Sequence, residues 1–318
     1  MNSLGNVLIT GGAGFVGSQL VKEIISYSDH VYVIDDLSTG SLSSLPNSSK
    51  LTVIVKPIND EKTLNEIIPQ VDYIYHLACS NLTQSINDLD HDLNTNLLDG
   101  YLLLKKIVTL NPTIKRFIYT STASVYSQAE KLPTPEDYYN ITLPYAASKF
   151  AFEHYCQVFN HIYDIPTTIL RLSNLYGPGQ LTSNPYCGVV ATFFECAMEG
   201  KPLPIYGDGY QTRDFTFIDD GIAALLLTTT TPKAIGKVYN VGTGIETDIL
   251  TLANSIQEIV KVDSKHVVFK QERSIDVVIR RRINAEKISN DLKWKSQTPL
   301  LEGLYRTFLW LQDKEKQE

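Results

Sequence analysis

Short apolar runs alternate with segments of helical periodicity through the first third of the chain. Apolar runs at residues 7–10, 30–34 and 73–77 predict buried strands. Apolar residues at helical spacing over 18–25 and 92–108 predict helices that follow two of these strands. Strands that alternate with helices in this way predict an α/β fold built on a parallel, doubly wound sheet.

The same patterns continue toward the C-terminus, with more turn residues after Gln180. Further strands are predicted at 52–55, 116–120, 167–171 and 238–241, and further helices at 61–68, 145–163, 189–200, 248–260 and 300–311. The segment 173–180 is predicted to be a loop because it contains Gly177, Pro178 and Gly179. The strand at 238–241 is expected to return to the main sheet.

Three glycines follow the first predicted strand at once. Gly11, Gly14 and Gly17 lie in the sequence VLITGGAGFVGS, directly before the first predicted helix. Glycines at this spacing allow a tight turn, close approach of a pyrophosphate and close packing of the helix on the strand. Asp35 follows the next strand, where a carboxylate can accept hydrogen bonds from an adenosine ribose. The combination predicts a dinucleotide site.

Two neighbouring carboxylates bear on the choice of dinucleotide. Asp35 and Asp36 would repel the 2′-phosphate of NADP, whereas Asp35 can accept hydrogen bonds from the free 2′-hydroxyl of NAD. No arginine lies in the glycine turn or just after Asp35. The sequence therefore predicts NAD as the cofactor.

A tyrosine and a lysine share one face of the predicted helix at 145–163. Tyr145 and Lys149 lie four residues apart. An ammonium group near a phenol favours the phenolate, so Lys149 is expected to lower the pKa of Tyr145 and suit it to act as a base. The strand that precedes this helix ends in Ser121 and Thr122, so a hydroxyl could share the site. A base beside a nicotinamide would make a site for carbinol oxidation.

Composition narrows the class of protein. The 318 residues, 43% hydrophobic and 20% charged, are typical of a globular protein with one large α/β unit or two modest domains. A net charge of −7 argues against a surface that binds nucleic acid.

The cysteines and the N-terminus bear on location and metal content. Cys79, Cys156, Cys187 and Cys196 form no CxxC pair, which suits a reducing compartment and gives no zinc signature. No signal-peptide pattern and no apolar run long enough to span a bilayer is found in the sequence. We therefore expect a cytoplasmic protein with no metal and no membrane or nucleic-acid partner.

Several motifs in a fixed order resemble one enzyme family. GGAGFVGS, Asp35, HLA at 76–78, Asn96, STASVY at 121–126, YAASK and NLYGP at 174–178 resemble the extended short-chain dehydrogenase/reductases. More narrowly they resemble the NAD-dependent nucleotide-sugar epimerases and dehydratases, whose substrate-domain signature is similar to GDGYQTRDFTFIDD at 207–220. The resemblance implies a Rossmann-like sheet, a smaller C-terminal α/β substrate domain, tightly bound NAD and a homodimer.

The resemblance also implies roles for individual residues. Tyr145 would be the catalytic base, Lys149 would bind the nicotinamide ribose, and Thr122 would be the catalytic hydroxyl. The positions that match cofactor-binding residues are Gly11, Gly14, Phe15, Val16, Gly17, Asp35, Asp36, Leu77, Ala78, Asn96, Tyr145 and Lys149. The positions expected to bind the substrate are Thr122, Ser124, Asn174, Tyr206, Gln211, Arg213, Arg273 and Asp276, with the two arginines on the diphosphate.

The implied domain boundaries follow the same pattern. Residues 1–172 would form the NAD-binding Rossmann domain, with a returning segment near 215–245. Residues 173–318 would mainly form the domain that binds the nucleotide sugar. The resemblance places the dimer interface on the helices at 92–108 and 145–163, although their apolar faces could as well belong to the core.

The favoured function is an NAD-dependent nucleotide-sugar 4-epimerase acting through a transient 4-keto intermediate. UDP-hexose, UDP-N-acetylhexosamine and UDP-uronate remain open as substrates. The family's dehydratases resemble one another in carrying Asp-Glu after the catalytic threonine and its decarboxylases in carrying Glu at the second position, whereas this chain has Ala123 and Ser124. The alternatives are a UDP-glucuronate decarboxylase, an NDP-sugar 4,6-dehydratase and, more distantly, a non-catalytic nucleotide-binding protein.

Two departures from the family pattern bear on ligand binding. Pro57 stands where many members carry an aspartate that reaches the adenine. The stretch 276–287 contains Arg280, Arg281 and Arg282 and, in its spacing, resembles the UDP-glucuronate decarboxylases. One of these arginines could meet a sugar carboxylate, or all three could be solvated.

Overall fold

The computed structural model describes residues 3–180, 187–262, 266–273 and 278–315. Its strands are β1 (Asn6–Thr10), β2 (His30–Asp35), β3 (Leu51–Val55), β4 (Tyr73–His76), β5 (Arg116–Thr122), β6 (Thr167–Leu172), β7 (Asn174–Tyr176), β8 (Leu203–Tyr206), β9 (Thr212–Arg213), β10 (Phe215–Phe217), β11 (Lys237–Val241), β12 (Thr247–Asp248) and β13 (Val267–Lys270). Its helices are α1 (Phe15–Ile24), α2 (Glu61–Ile67), α3 (Leu82–Asn87), α4 (Leu89–Leu93), α5 (Asp99–Leu110), α6 (Pro144–Tyr163), α7 (Val189–Met198), α8 (Ile218–Thr230), α9 (Ile249–Val260), α10 (Glu286–Leu292) and α11 (Leu300–Glu315).

Seven strands form one parallel sheet in the order β11–β6–β5–β4–β1–β2–β3. The chain runs outward from β1 through β2 to β3, returns to β4 on the other side of β1, and continues through β5 and β6 to β11. The strand order therefore switches direction between β1 and β4, which is where ligands bind in doubly wound sheets. The predicted α/β fold and the return of the strand near 238–241 are confirmed.

Helices cover both faces of the sheet, so its central strands are buried on both sides. One apolar core lies between the sheet and helices α1 and α8, and it includes Leu20 and Leu225. The other lies between the sheet and helices α2, α5 and α6, and it includes Leu104 and Phe152. All seven residues of β5 are buried, so buried positions follow one another along this strand and do not alternate with exposed ones.

Three small strand pairs lie outside the main sheet. β7 pairs in parallel with β10, β8 pairs in parallel with β13, and β9 pairs antiparallel to β12. The prediction of a loop over 173–180 is wrong for its first residues, because Asn174–Tyr176 is strand β7. The glycines and the proline begin only at Gly177, after β7 has ended. The partner of β7 is β10, which lies some forty positions later in the chain.

The helix predicted over 92–108 is interrupted. The structure has α4, then a π-helical turn at Asn94–Leu98, then α5. A π-turn adds a residue to the helical repeat and often marks a functional position. Apolar periodicity alone does not distinguish it from a regular helix, and here it directs Asn96 into the interior, where only 1% of its surface is exposed.

The described residues can be searched for membrane-spanning helices and for metal sites. No helix among them is long and apolar enough to cross a bilayer. Within the same ranges, no three His, Cys, Asp or Glu side chains are grouped so that they could hold a metal ion.

Candidate active site

A cavity of about 710 Å³ lies at the carboxyl ends of β1, β2 and β4, beside the switch point of the sheet. Asn96, Tyr145 and Lys149 are not among the residues that line it. A second cavity of about 620 Å³ is lined by none of the predicted site residues. The predicted cofactor residues that line the larger cavity are Gly11, Gly14, Phe15, Val16, Gly17, Asp35, Asp36, Leu77 and Ala78.

The glycine turn forms one wall of this cavity. Gly11 has a φ of +70°, and a Cβ there would lie 2.6 Å from the backbone nitrogen of Ala78. A Cβ at Gly17 would collide with the carbonyl oxygen of Gly11. Helix α1 begins directly after Gly14, which has no side chain to cap the first N–H groups. These N–H groups and the helix dipole fit a pyrophosphate.

Two carboxylates lie at the end of β2 in the same cavity. Asp35 is buried and accepts hydrogen bonds from the backbone N–H groups of Ala13 and Leu37, both at 2.8 Å. Burial raises the pKa of Asp35, and these two hydrogen bonds lower it. Asp36 is exposed. The glycine turn and the pair of acids together fit the pyrophosphate and ribose of NAD.

The three predicted catalytic side chains lie on two adjoining elements. Tyr145 and Lys149 occupy the first two turns of α6, which begins at Pro144. Thr122 is the last residue of β5, and its Oγ1 accepts a 3.0 Å hydrogen bond from the backbone nitrogen of Ser124. A hydrogen bond between Thr122 and the phenol of Tyr145 lowers the pKa of that phenol. The structure therefore brings the predicted base and hydroxyl together.

The expected effect of Lys149 on the base is not what the structure shows. Burial raises the pKa of the Tyr145 phenol well above its ordinary value, and the groups that lower it are Thr122 and Arg281. The Lys149 ammonium lies 4.5 Å from the centre of the Tyr119 ring, and burial lowers its pKa. Desolvation therefore outweighs the attraction that the helical spacing led us to expect.

Arg281 lies close enough to Tyr145 for their two charges to act on one another. Its guanidinium is buried, its Nη1 lies 3.5 Å from the Oδ1 of Asn174, and its Nε has no hydrogen-bond partner. Burial and the nearby charge of Arg213 lower its pKa to about 9, while Asp214 and Tyr145 act in the opposite direction. A buried guanidinium of this kind favours an anionic ligand.

The other two arginines of the run lie in different surroundings. Arg280 is exposed and forms an ion pair with Glu246, with 2.6 Å between Nη2 and Oε2. Arg282 is exposed and donates to the carbonyl oxygen of Gly244 at 2.6 Å. The sequence alone could not separate the three, because consecutive positions differ only in the direction that the backbone gives each side chain.

Asp214 holds the segment that carries Arg281 and was missed by the sequence reasoning. Its carboxylate is buried and accepts hydrogen bonds from the backbone of Thr243, Gly244 and Ile283, at 2.9, 2.9 and 3.3 Å. The hydroxyl of Thr243 also donates to it, at 2.7 Å. A single aspartate therefore joins two loops, and no local motif marks this role.

Among the remaining predicted substrate residues, Gln211 and Arg273 both contact Tyr206, whereas Arg213 lies near Arg281. The side-chain nitrogen of Gln211 donates to the carbonyl oxygen of Tyr206 at 2.7 Å, and the Arg273 guanidinium lies 4.3 Å from the centre of the Tyr206 ring. Arg213 donates from Nη1 to the carbonyl oxygen of Val278 at 2.9 Å. Asp276 lies outside the described residues.

Comparisons with known proteins cover nearly the whole chain. The NAD dependent epimerase/dehydratase family matches residues 7–242. A UDP-glucose 4-epimerase of Mycolicibacterium smegmatis is 34% identical, over 96% of this chain and 98% of the relative. A dTDP-glucose 4,6-dehydratase of Haemophilus influenzae is 30% identical, over 96% and 97%. A solved UDP-glucose 4-epimerase of Thermotoga maritima with UDP-glucose has a TM-score of 0.92 and 31% identity, over 98% and 99%.

The two acids at the end of β2 predict a preference for NAD over NADP. We expect NADP to bind at least about tenfold more weakly than NAD, a difference of roughly 1.4 kcal/mol. The Asp36→Asn variant keeps the acceptor for the Ser38 backbone but loses a negative charge, so it should narrow this difference. Calorimetry on Asp137→Asn, an exposed acid that does not line the cavity, provides the control. Equal affinities in the wild type would contradict the prediction.

Proposed function

Because this chain belongs to the NAD-dependent epimerase/dehydratase family, we propose that it inverts the configuration at C4 of a nucleotide sugar. The resemblance seen in the motifs is confirmed for the family and for its NAD dependence. One observation carries the choice of reaction: neither of the two residues directly after Thr122 is acidic. The next two residues are Ala123 and Ser124, both buried in the turn after β5.

The absence of an acid at these positions argues against the two rival reactions. A dehydratase must take a proton from C5 and give one to the C6 oxygen, which requires an acid and a base beside the sugar. Ala123 has no proton to exchange, and the hydroxyl of Ser124 is a poor base near neutral pH. Without such groups, the 4-keto sugar has one productive course, which is return of the hydride to C4.

Each residue of the site has its own role in the proposed reaction. Tyr145 takes the proton of the C4 hydroxyl, and Thr122 is placed to hold the same oxygen. Lys149 binds the nicotinamide ribose, and Arg213 and Arg273 bind the diphosphate. NAD, when bound, supplies a hydride acceptor that later returns the hydride to the other face of the sugar.

We assign the two ligands to two parts of the chain. Residues 1–172, with a returning segment near 215–245, would bind NAD, and residues 173–318 would mainly bind the nucleotide sugar. The glycine turn follows β1 of the seven-stranded sheet, to which β11 also belongs, whereas Tyr206 ends β8 in a separate strand pair. The sugar would meet Tyr145 where these two parts adjoin.

The role of Tyr145 can be tested by removing its hydroxyl. We expect Tyr145→Phe to lower kcat by about 10²–10⁴-fold with little change in the affinity for the sugar nucleotide, because only the proton acceptor is lost. Tyr139→Phe, which changes a 60% exposed tyrosine, is the matched control and should keep full activity. If Tyr145→Phe turns over near the wild-type rate, Tyr145 has no part in the chemistry.

Arg281 favours one class of sugar among the three left open by the sequence. Its buried guanidinium lies beside Asn174, close enough to Tyr145 for each charge to affect the other. Tyr145 marks the position of the reacting C4 carbon. An anionic group near C4 in a nucleotide sugar is the carboxylate of a uronate, so we propose UDP-uronate as the preferred substrate class.

Paired variants of adjacent arginines test this preference. Arg281→Met should raise the KM for UDP-glucuronate by about 10–100-fold, the effect of losing a charge-assisted hydrogen bond, and should change the KM for UDP-glucose far less. Arg280→Met, which removes the neighbouring exposed guanidinium, should alter neither. Equal weakening of both substrates would place Arg281 on the diphosphate and contradict the uronate assignment.

We also propose that the enzyme is a homodimer. Helices α4, α5 and α6 leave large apolar residues exposed, of which Tyr101 on α5 and Tyr155 on α6 are in ring contact: Leu89, Leu93, Tyr101, Tyr155, Val158 and Ile162. The sequence left open whether these faces were core or interface, and their exposure in one chain favours an interface. The same surface on a second copy would complete a two-fold contact.

Sedimentation tests the proposed interface. The wild type should sediment as a dimer, and Ile162→Glu should shift it to a monomer because a carboxylate would be buried in the contact. Leu309→Glu, at an exposed position of α11, should remain dimeric. A monomeric wild type would contradict the proposal.

A further inference from the structure

The cavity at the carboxyl ends of β1, β2 and β4 extends past the acids of β2 to the end of β3 and the start of α5. The residues that line it there are Lys56, Pro57, Ile58, Asn59 and Asp99. In the sheet, β2 lies between β1 and β3. A dinucleotide with its pyrophosphate on the glycine turn after β1 and its ribose on Asp35 would therefore place its adenine near the end of β3.

The loop after β3 offers the adenine an apolar surface. Ile58 is buried and lines the cavity, as does Ile34 of β2. Pro57 has no N–H and no polar side chain, and its carbonyl oxygen accepts a hydrogen bond from the backbone nitrogen of Asp60 at 3.1 Å. The side chain of Lys56 carries only donors. Neither Lys56 nor Pro57 supplies a side-chain acceptor for the amino group of an adenine.

Asp99 supplies such an acceptor. It is the first residue of α5, directly after the π-turn, and it is half-buried. The side-chain nitrogen of Asn59 donates to its Oδ1 at 3.2 Å, which ties the carboxylate to the loop after β3. A carboxylate has about four lone pairs, so Asp99 can also accept from a donor inside the cavity.

The other acceptors of the cavity fit the amino group less well. Asn59 offers a neutral amide oxygen on an exposed side chain, and hydrogen bonds to an ionised acceptor are roughly twice as strong. The carboxylates of Asp35 and Asp36 follow one another at the end of β2, on the ribose side. Asp99 is the carboxylate that lies next to the loop after β3.

We propose that Asp99, held by Asn59, accepts a hydrogen bond from the exocyclic amino group of the adenine of NAD. The proposal rests on the part of the proposed function that places NAD in this cavity, and it does not depend on the reaction at C4. It implies that the site selects adenine over a base with a carbonyl oxygen at the same position. That oxygen would face a carboxylate with no hydrogen between them.

Competition between NAD and nicotinamide hypoxanthine dinucleotide tests this selection. The analogue differs from NAD only in its base, in which a carbonyl oxygen replaces the amino group and the adjacent ring nitrogen carries a hydrogen. The protein is brought to equilibrium with an equal mixture of the two, and the bound nucleotides are released by denaturation and quantified by chromatography. The wild type should retain NAD over the analogue by about 10–100-fold, the effect of a charge-assisted hydrogen bond.

The isosteric variant Asp99→Asn should bring this ratio close to one. An amide keeps an oxygen for the hydrogen bond from Asn59, and its nitrogen can donate to the carbonyl oxygen of the analogue but cannot accept from the amino group of NAD. Asp36→Asn removes a charge from the ribose side of the same cavity and is the matched control, which should keep the wild-type ratio. Preference for NAD over NADP should respond in the opposite way, changed by Asp36→Asn and kept by Asp99→Asn.

The ratio of two nucleotides in one sample separates recognition from stability. A general loss of folding or affinity lowers the binding of both nucleotides and leaves their ratio unchanged. Equal retention of the two by the wild type would overturn the proposal, as would a preference for NAD that survives in Asp99→Asn. A wild type that selects NAD through Asp99 but forms no C4 epimer would refute the proposed reaction and leave the role of Asp99 standing.

Discussion

The cavity at the carboxyl ends of β1, β2 and β4 depends on how closely two backbone segments approach at the switch point of the sheet. Gly11 lies so near Ala78 that a Cβ would come within 2.6 Å of its nitrogen. Because no side chain enters this gap, the turn after β1 and the segment after β4 pack directly against each other and form one wall of the cavity. Helix α1 begins against that wall, and Asp35 ties it to β2 through Ala13. The fit to a dinucleotide follows from these contacts.

The part of the site around Tyr145 depends on the burial of charged and polar side chains. Burial raises the pKa of Tyr145 and lowers the pKa of Lys149 and Arg281. Each of these pKa shifts disfavours the charged form of the side chain, so neighbouring groups are needed to stabilise that form. Thr122 and Arg281 favour the phenolate of Tyr145, whereas Cys79 and Asp92 on α4 disfavour it, and Cys79 and Glu153 favour the ammonium of Lys149. The strength of the base is therefore a balance among groups from β5, α4 and the segment after Val278.

The sequence predicted the features that depend on local spacing. The sheet, the glycine turn, Asp35 and the shared helix of Tyr145 and Lys149 follow from periodicity and from the steric needs of a strand–turn–helix unit. The family resemblance added Thr122. All of these side chains are placed by the element on which they lie.

The features that sequence reasoning missed depend on distant contacts. Strand β7 exists because β10 pairs with it, and the π-turn at Asn94–Leu98 leaves no mark in the apolar pattern. The role proposed for Arg281 depends on its burial, which no local pattern separates from the exposure of its neighbour Arg280. The most direct test of the proposed reaction incubates UDP-glucuronate deuterated at C4 with the purified protein, without added NAD, and identifies the product by NMR. We predict the C4 epimer with the deuterium retained at C4, and release of CO₂ or a deuterium label lost to solvent would contradict the account.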